Sequence, residues 1–391
     1  MPLDLSAIYL HIQGMVDLQH PETWMRRLRE AQNLLRQADA EKVTAELERR
    51  DRGGKRYPWL VPKPLNSLGD TFSVPHLATD GYSVAASDGS NIPPDRHSPV
   101  QYCVLNISKV VLAYGERPAA SLQATSEMLY TQEQLEVVEN VPLRGDLLGA
   151  KMAVRELEVL LDTAASLPAP RVALYDGTLI LWSIQNQPDN IRRQFTAPFW
   201  RALEGFRLQE IPLLSYISYP DARDLCNALR VTLCDTDPKE CANCKKRELC
   251  QFLDLGTLRD RELLQGYLKP RERTDLFATV SDIVKDYEGQ GVLFCYLEVG
   301  GEVARVEMPG WLGHDASAAL LDFALGVLLD QCALSGEVPP YPLALMEAHE
   351  AAVIDVTTRA VVEELVETEF ARRGLPYIRS GKDRSKRRRG V

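Results

Sequence analysis

The sequence repeats one short pattern, in which an apolar run is followed by an aspartate, a glycine and a hydroxyl residue. The first copy is Asp-Gly-Ser at 88–90 after the run 82–87, and the second is Asp-Gly-Thr at 176–178 after 171–175. Short apolar runs of this kind predict strands, and Asp-Gly is typical of a turn. One copy alone indicates only a turn. Two copies at strand ends predict two carboxylates that converge on one site.

The composition is that of an ordinary soluble globular protein. The chain has 391 residues, of which 45% are apolar and 26% charged, enough for one large domain or two smaller ones. No apolar run approaches the roughly 20 residues of a membrane helix, and the N-terminus lacks a signal-like segment. We therefore expect a cytoplasmic protein without a membrane partner. The net charge of −10 does not exclude nucleic acid as a partner, because binding depends on local patches.

Hydrophobic periodicity predicts an α/β fold. Strands are predicted at 82–88, 101–114, 171–176, 211–218, 291–299 and 302–308. Helices are predicted at 20–52, 145–166, 194–207, 222–231, 275–288, 314–335 and 342–373. The Gly-Gly pair at 300–301 predicts a hairpin, and the proline-rich stretch 55–75 predicts a connector. Hairpins mixed with long helices favour a mixed sheet flanked by helices over a βαβ repeat.

Two polar residues lie among apolar helical neighbours. The residues three and four positions from Glu156 are all apolar, and the same is true of His349. A carboxylate in such a place is unfavourable unless it is paired or binds a metal. The alternatives are a boundary glutamate that reaches solvent and a core histidine with satisfied hydrogen bonds. Tyr341, just before the last predicted helix, is either a site residue or a packing residue.

Two aspartates, one glutamate and one histidine form a plausible ligand set for one or two hard cations. Oxygen ligands suit Mg²⁺ or Mn²⁺. The chemistry that such a set supports is phosphodiester hydrolysis, in which metals activate water and stabilise charge on the phosphate.

Five segments of the sequence, taken in order, resemble the NurA family of nucleases. They are 86–97, 174–179, 260–273, 304–311 and 341–352, and the resemblance extends over roughly 80–375. It implies an RNase H-like mixed sheet, dependence on Mn²⁺ or Mg²⁺, and exonuclease and endonuclease action on DNA ends. It also implies a homodimer that works with a HerA-type hexameric ATPase translocase in the resection of double-strand breaks.

The resemblance also assigns roles to residues. Asp88 and Asp176 match the two aspartates of the family, and Glu156 matches a helical glutamate, with Glu158 as the fallback. These carboxylates are expected to bind the metal. The C-terminal pair is matched by Tyr341, expected to orient phosphate or water, and His349, expected to ligate the metal or handle a proton. Arg305 resembles a recurrent basic position that contacts phosphate, and the alternative is a strand-surface charge paired with Glu307.

Residues 226–250 contain five cysteines and depart from the usual NurA pattern. The spacing is Cys226-x7-Cys234-x6-Cys241-x2-Cys244-x5-Cys250. Clustering of this kind without an export signal favours metal or cluster ligation over disulfides. The last three cysteines resemble the cluster-binding end of RecB-type nucleases that hold a [4Fe–4S] cluster, with Cys234 or Cys226 as the fourth ligand. Zinc is the alternative, and free surface thiols are the third possibility.

Basic residues accompany the cysteine loop and the C-terminus. Lys245, Lys246 and Arg247 are expected to present positive charge to DNA. The tail 378–391 is strongly basic and predicts a disordered end that adds phosphate affinity.

The expected organisation is an N-terminal helical segment and connector at 1–75, a nuclease domain at 76–377 with the cysteine-rich insertion, and the basic tail. The sequence has no P-loop motif, so any ATP-driven translocation needs a partner. Two other functions stay open. One is a catalytically inactive, cluster-bearing DNA-binding or adaptor subunit, and the other is an RNase that uses the same site.

Overall fold

A computed structural model describes residues 3–17, 21–54, 57, 59–79, 81–234, 244–253, 258–287 and 291–377. The strands are β1 Lys63–Pro64, β2 Thr71–Ser73, β3 Ser83–Ser87, β4 Gly89–Ile92, β5 Cys103–Ala113, β6 Ala119–Leu129, β7 Glu136–Val138, β8 Val141–Pro142, β9 Arg171–Asp176, β10 Leu213–Ile217, β11 Glu272–Thr274, β12 Phe277–Ala278, β13 Val292–Glu298 and β14 Val303–Pro309. The helices are α1 Leu5–Asp17, α2 Pro21–Arg36, α3 Ala40–Arg52, α4 Gln132–Leu135, α5 Asp146–Ala165, α6 Asp189–Leu208, α7 Asp224–Leu233, α8 Arg247–Phe252, α9 Asp260–Leu264, α10 Ala318–Ser335, α11 Leu343–Ala352 and α12 Val356–Arg372.

The strands other than β7 and β8 form one mixed sheet, in the order β1-β12-β13-β14-β10-β9-β3-β5-β4, with β6 also paired to β5 and with β11 and β2 paired beside β13. The centre is parallel, because β3 pairs with β9 and β9 pairs with β10 in the same direction. Antiparallel pairs flank this centre on both sides. The result is the RNase H-like mixed sheet flanked by helices that the sequence predicted.

Both faces of the central strands are buried, which explains their continuous apolar sequences. In β3, Ala85 belongs to the core on one face of the sheet, and Val84 and Ala86 belong to the core on the other. Helices α5 and α6 cover the first face, and α10 and α11 cover the second. Successive side chains of each strand therefore point alternately into the two helical layers.

A third core cluster lies at the β12–β14 side of the sheet. Residues of α2, α3, α7, α8 and α9 pack there against aromatic side chains of the strands, including Phe277, Phe294 and Tyr296. The N-terminal helices α2 and α3 thus share a hydrophobic core with the rest of the chain.

All six strands predicted from the sequence are confirmed. The predicted hairpin is also confirmed, because Gly300 and Gly301 have φ of 104° and 107° and the Val299 amide donates to the Glu302 carbonyl at 2.9 Å. The sequence did not predict α1 or β6. Both are exposed along nearly all of their described length. In α1, Leu5, Ile8 and Ile12 recur at helical spacing although they are exposed.

Three helix predictions need correction. The predicted helix 20–52 is two helices, because the Asp39 side chain accepts hydrogen bonds from two backbone amides and starts α3 as its N-cap. The predicted helix 342–373 is also two helices, and Asp355 caps the second. The prediction at 275–288 is wrong, because this stretch contains β12 and a 3-10 helix, Asp282–Asp286.

One helical stretch, Asp315–Ser335, is long and apolar enough to cross a membrane by length and composition, which the sequence analysis did not anticipate. Half of an 18-residue apolar segment within this stretch is buried inside the fold. Its buried residues, including Leu321, Leu325 and Leu328, belong to the core cluster on the sheet. Length and apolarity here therefore agree with a core helix, which meets the same two criteria.

Candidate functional site

Two neighbouring parallel strands end beside each other and deliver the two aspartates. Ser87 of β3 is in register with Tyr175 of β9, and the next residue of each strand is an aspartate, Asp88 and Asp176. Strands that run parallel have their carboxyl ends at one edge of the sheet. The structure thus brings together the two carboxylates of the repeated pattern.

The backbone at Asp88 is fixed by a serine on the adjacent strand. The Ser108 hydroxyl accepts from the Asp88 amide at 2.9 Å and donates to the Asp88 carbonyl at 3.2 Å. Ser108 is fully buried. Nothing in the sequence distinguishes this serine from other strand residues, and sequence reasoning missed it.

The two Asp-Gly pairs differ in backbone conformation. Gly177 has φ of 91° and makes the predicted turn. The prediction of a turn at Gly89 is wrong, because Gly89 begins β4 and does not adopt a positive φ. Its glycine is required by space: a Cβ there would lie 2.4 Å from Oε1 of Glu156 and 2.4 Å from the terminal methyl of Met152.

Glu156 projects from the middle of α5 toward the aspartates. The Tyr175 hydroxyl donates to its Oε2 at 3.3 Å. Burial, together with the negative charges of Asp88 and Asp176, raises the pKa of Glu156 to about 8, although the Tyr175 hydrogen bond acts in the opposite direction. The Glu156 carboxyl is therefore harder to ionise here than in water, and a nearby positive charge would favour its ionised form.

Glu158, the fallback from the sequence, lies on another side of α5. Arg155 binds it at 2.7 Å, and this pair is partly exposed. The geometry brings Glu156, and not Glu158, to the two aspartates.

The C-terminal pair also reaches the site. His349 of α11 has its Nδ1 atom 2.9 Å from Oδ2 of Asp88, yet its side chain is 61% exposed. The expectation of a packed apolar setting for His349 is therefore wrong, because only the Ala348 and Ala352 side of the helix is buried. Asn106 fixes this end of α11 by donating to the Ala352 carbonyl at 2.8 Å.

Tyr341 lies beside the second aspartate. Burial, together with the negative charge of Asp176, raises the pKa of Tyr341. Burial likewise raises the pKa of Asp176, against the effect of the Tyr341 hydroxyl. Tyr341 also packs edge-to-face on Tyr216, with ring centroids 5.4 Å apart. The tyrosine is thus both a packing residue and a partner of the site.

The carboxylates converge, but as placed they do not form a set of metal ligands. Within the described ranges, no three His, Cys, Asp or Glu side chains are grouped so that they could hold a metal ion as placed. Asp88 and Glu156 each have a protein partner, in His349 and Tyr175. The oxygen atoms of the three carboxylates suit a hard cation.

Arg305 does not face a phosphate, contrary to its predicted role. It is buried, with Nε donating to Glu307 at 2.8 Å and a terminal nitrogen donating to Asp224 at 3.0 Å. Its guanidinium also lies over the ring of Phe294, 3.6 Å from the centroid. The alternative interpretation is right about the Glu307 partner but wrong about the location, which is interior and not the strand surface.

The cysteine segment is only partly described. Cys241 and the tail 378–391 lie outside the described residues. Cys234 is exposed, whereas Cys244 and Cys250 are partly buried. Cys226 is buried within α7, and burial together with nearby Asp260 raises the pKa of its thiol well above the usual value. A thiolate is disfavoured there, so Cys226 is a poor substitute ligand.

The three basic residues of this segment lie on the surface. Lys245 and Arg247 are exposed. Lys246 is exposed too, and its ammonium group donates to the Leu233 carbonyl at the end of α7, at 3.0 Å. Their contact with DNA stays a prediction.

Comparison with known proteins agrees with this architecture. A family model described as NurA domain matches residues 82–354. The crystal structure of the NurA nuclease from Sulfolobus solfataricus is similar with a TM-score of 0.50 and 11% sequence identity, covering 95% of this chain and 98% of that chain. The catalytic domain of human endonuclease V has a TM-score of only 0.29, with 14% identity over 76% of this chain and 86% of that one.

A search of curated proteins found no significant match. At 11% identity the Sulfolobus structure supports the fold alone. The NurA domain match spans more than half of the sequence, and the chain therefore belongs to the NurA family of nucleases.

Proposed function

We propose that this protein is a DNA nuclease that depends on Mn²⁺ or Mg²⁺ and acts on DNA ends. One observation supports this most directly: Asp88, Asp176 and Glu156 converge at the carboxyl ends of two parallel strands. Burial, together with the negative charges of Asp88 and Asp176, raises the pKa of Glu156 to about 8. A bound divalent cation would offset this excess of negative charge.

In this proposal the three carboxylates hold the cation. When bound, the metal ion supplies Lewis-acid stabilisation of the phosphate and a water of lowered pKa. Tyr175 then holds Glu156 in orientation through its hydroxyl group. Tyr341 keeps its proton, since its pKa is raised, and can donate to a phosphate oxygen.

His349 has a separate role in proton transfer. Its Nδ1 atom faces Asp88, so the exposed Nε2 atom is directed away from that contact and can exchange a proton with a water or a leaving oxygen. Asp88 fixes the ring orientation, as carboxylates do for catalytic imidazoles.

The test is cleavage of end-labelled linear DNA with Mn²⁺, using matched variants on one helix. Glu156→Gln is expected to lower the rate at least about 100-fold, because even partners behind the ligands typically contribute 10–100-fold. Glu158→Gln, two residues away on the polar side of α5, is the control and should keep wild-type activity. Full activity in Glu156→Gln, Asp88→Asn and Asp176→Asn would refute the site.

The same assay separates the alternatives. A catalytically inactive adaptor would bind DNA but show no metal-dependent cleavage in the wild type. Cleavage of matched single-stranded RNA in preference to DNA would favour an RNase. The complete set of carboxylates favours catalysis, because an adaptor has no need for mutually repelling, partly buried acids.

We also propose that the protein is a homodimer that works with a HerA-type ATPase in end resection. The sequence has no P-loop, so translocation requires a partner. Strand β6 supports a dimer: ten of its eleven residues are exposed, and Glu127 is its one charged residue. An exposed edge of this length with a single charge tends to pair with another strand. Leu122→Lys should convert a dimer to a monomer by light scattering, and an unchanged dimer mass would exclude this edge.

For residues 226–250 we propose a metal centre ligated by Cys234, Cys241, Cys244 and Cys250, with [4Fe–4S] ahead of Zn²⁺. The spacing in the sequence supports it. Anaerobically purified protein should be brown and contain iron and sulfide. A colourless protein with stoichiometric zinc would favour the zinc alternative. A protein that contains neither iron nor zinc would refute the metal centre.

A further inference from the structure

The buried Glu307 carboxylate accepts two hydrogen bonds from the turn that follows Asp176. Oε2 of Glu307 accepts from the Thr178 hydroxyl at 2.8 Å and from the Leu179 amide at 2.8 Å. The Thr178 hydroxyl in turn accepts from the Ile180 amide at 3.1 Å. Glu307 comes from β14, separated from β9 by strand β10. The turn is therefore tied to a strand two positions away in the sheet.

Glu307 itself is locked by an ion pair. Its other oxygen, Oε1, accepts from Nε of Arg305 at 2.8 Å, and only 1% of Glu307 is exposed. Arg305 cannot turn away easily, because it also binds Asp224 at 3.0 Å and lies on the Phe294 ring. Charge-assisted bonds in a buried setting are short and directional.

A second contact fixes the same turn from the neighbouring strand. The Ser215 hydroxyl of β10 donates to the Gly177 carbonyl, and the Gly177 amide donates to the Tyr216 carbonyl at 3.1 Å. Ser215 is in register with Glu307 on β14 and with Tyr175 on β9. Backbone and side-chain contacts thus restrain the residues directly after Asp176.

We propose that Glu307, locked by Arg305, is a positioning residue that acts through Thr178 to aim the Asp176 carboxylate at the proposed cation site. This inference rests on the proposed function. It assigns to the Arg-Val-Glu segment of β14 a role in ligand geometry instead of phosphate contact. Groups that orient metal ligands typically change metal affinity or activity by 10–100-fold when removed.

The test uses two variants of Thr178 and one matched control. Thr178→Val removes the bond to Glu307 with little change in shape and should weaken Mn²⁺ binding about tenfold, measured without DNA by the electron paramagnetic resonance of free Mn²⁺. Thr178→Ser keeps the hydroxyl and should restore affinity to within about twofold of wild type. Thr163→Val is the matched control, because its hydroxyl bonds only within α5, to the Val159 carbonyl at 2.7 Å.

Hydrogen exchange gives a readout that needs no metal. The Leu179 amide should exchange faster in Thr178→Val than in wild type, whereas amides of β10 should not change. Unchanged Mn²⁺ affinity and unchanged DNA cleavage in Thr178→Val would overturn the positioning role, whatever the exchange rate. Equal loss in Thr178→Ser would also overturn it, since the hydroxyl would then not be the cause.

Different results would refute the proposed function and the positioning role of Glu307. A wild-type protein that neither binds Mn²⁺ nor cleaves DNA would refute the proposed function and the positioning role with it. A wild-type protein that does both, alongside a fully competent Thr178→Val variant, would refute the positioning role alone.

Discussion

Replacing Gly89 with alanine should lower nuclease activity about 100-fold while leaving the protein folded. The added Cβ would lie 2.4 Å from Oε1 of Glu156, 2.4 Å from the Met152 methyl and 3.0 Å from a methyl of Ile107. Ordinary contacts of this kind are about 3.5 Å. The Glu156 carboxylate and the Met152 methyl must therefore each move by about 1 Å, away from the position that faces Asp88.

The displacement and the stability change can be estimated separately. A misplacement of about 1 Å in a catalytic group can lower a rate about 100-fold. Overpacking costs about 1–3 kcal/mol, and both atoms that must move are the ends of flexible side chains, which favours the lower half of this range. Proteins of this size typically have about 5–15 kcal/mol of unfolding free energy. More than 99% of Gly89→Ala molecules should therefore stay folded, and unfolding cannot explain a 100-fold loss.

The assay compares Mn²⁺-dependent cleavage of linear DNA with the urea midpoint of each variant. Gly149→Ala is the control on the same helix as Glu156, since a Cβ at Gly149 meets no atom within 4 Å. It should keep full activity and gain up to about 1 kcal/mol of stability, because alanine favours helix over glycine.

A double-mutant cycle tests the cause. If Gly89→Ala acts by displacing Glu156, adding it to Glu156→Gln should lower the rate little further. Wild-type activity in Gly89→Ala would refute the reasoning. So would a full, additive loss in the double variant, because the alanine would then act on something other than Glu156.

Three further predictions concern charge, packing and the strand end. Hydrogen bonds from arginines lower the pKa of Glu46 to about 2, so its carboxylate stabilises the fold above about pH 4.5, and this contribution is lost as pH falls toward 2. After a discount for partial exposure, Glu46→Gln should cost about 1–2 kcal/mol of unfolding free energy at pH 7 and little at pH 2.5, measured by urea unfolding. Gly205→Ala would place a Cβ 2.4 Å from a methyl of Leu161 and should lower stability by about 1–2 kcal/mol at unchanged activity per folded molecule, with calorimetry as the check. Ser108→Ala leaves the Asp88 amide without its 2.9 Å acceptor and should cost about 1–3 kcal/mol and roughly tenfold in cleavage rate; an unchanged rate would show that the strand end needs no such clamp.

The central strands were predictable because a strand that is buried on both faces has a run of apolar residues in its sequence. The inner residues of β3 and β9 are apolar, since each strand lies between two helical layers. Strand β6 has no such apolar run. With both faces exposed it has no reason to alternate, and only its pairing with β5 reveals it.

Part of the candidate site followed from helical spacing and part did not. Glu156 stands out because its neighbours at three and four positions are apolar, and the structure places it beside Asp88. The same spacing around His349 misled, because α11 buries only one side and leaves the imidazole at the rim. Helical periodicity reports which residues share a face, but how deeply that face is covered depends on the tertiary packing.

The contacts that hold the site could not be predicted from local sequence, because they join distant residues. Thr178 and Glu307 are separated by 129 positions, and Asp88 and His349 by 261. Neither pair creates a local pattern. Arg305 shows the consequence: an exposed basic residue and a buried one look alike in the sequence, and only the fold shows that its charge is used internally.

The two Asp-Gly pairs show how one pattern can have two physical causes. At 176–177 the glycine is needed by the backbone, since φ is 91° and a Cβ is strained in that region. At 88–89 the backbone is an ordinary strand, and the glycine is needed because the Glu156 carboxylate occupies the space of a Cβ. Both glycines serve the aspartate before them, one by turning the chain away from it and the other by admitting a third carboxylate beside it. The repeated pattern therefore marks the carboxylates correctly, while the reason for each glycine depends on what the fold brings next to it.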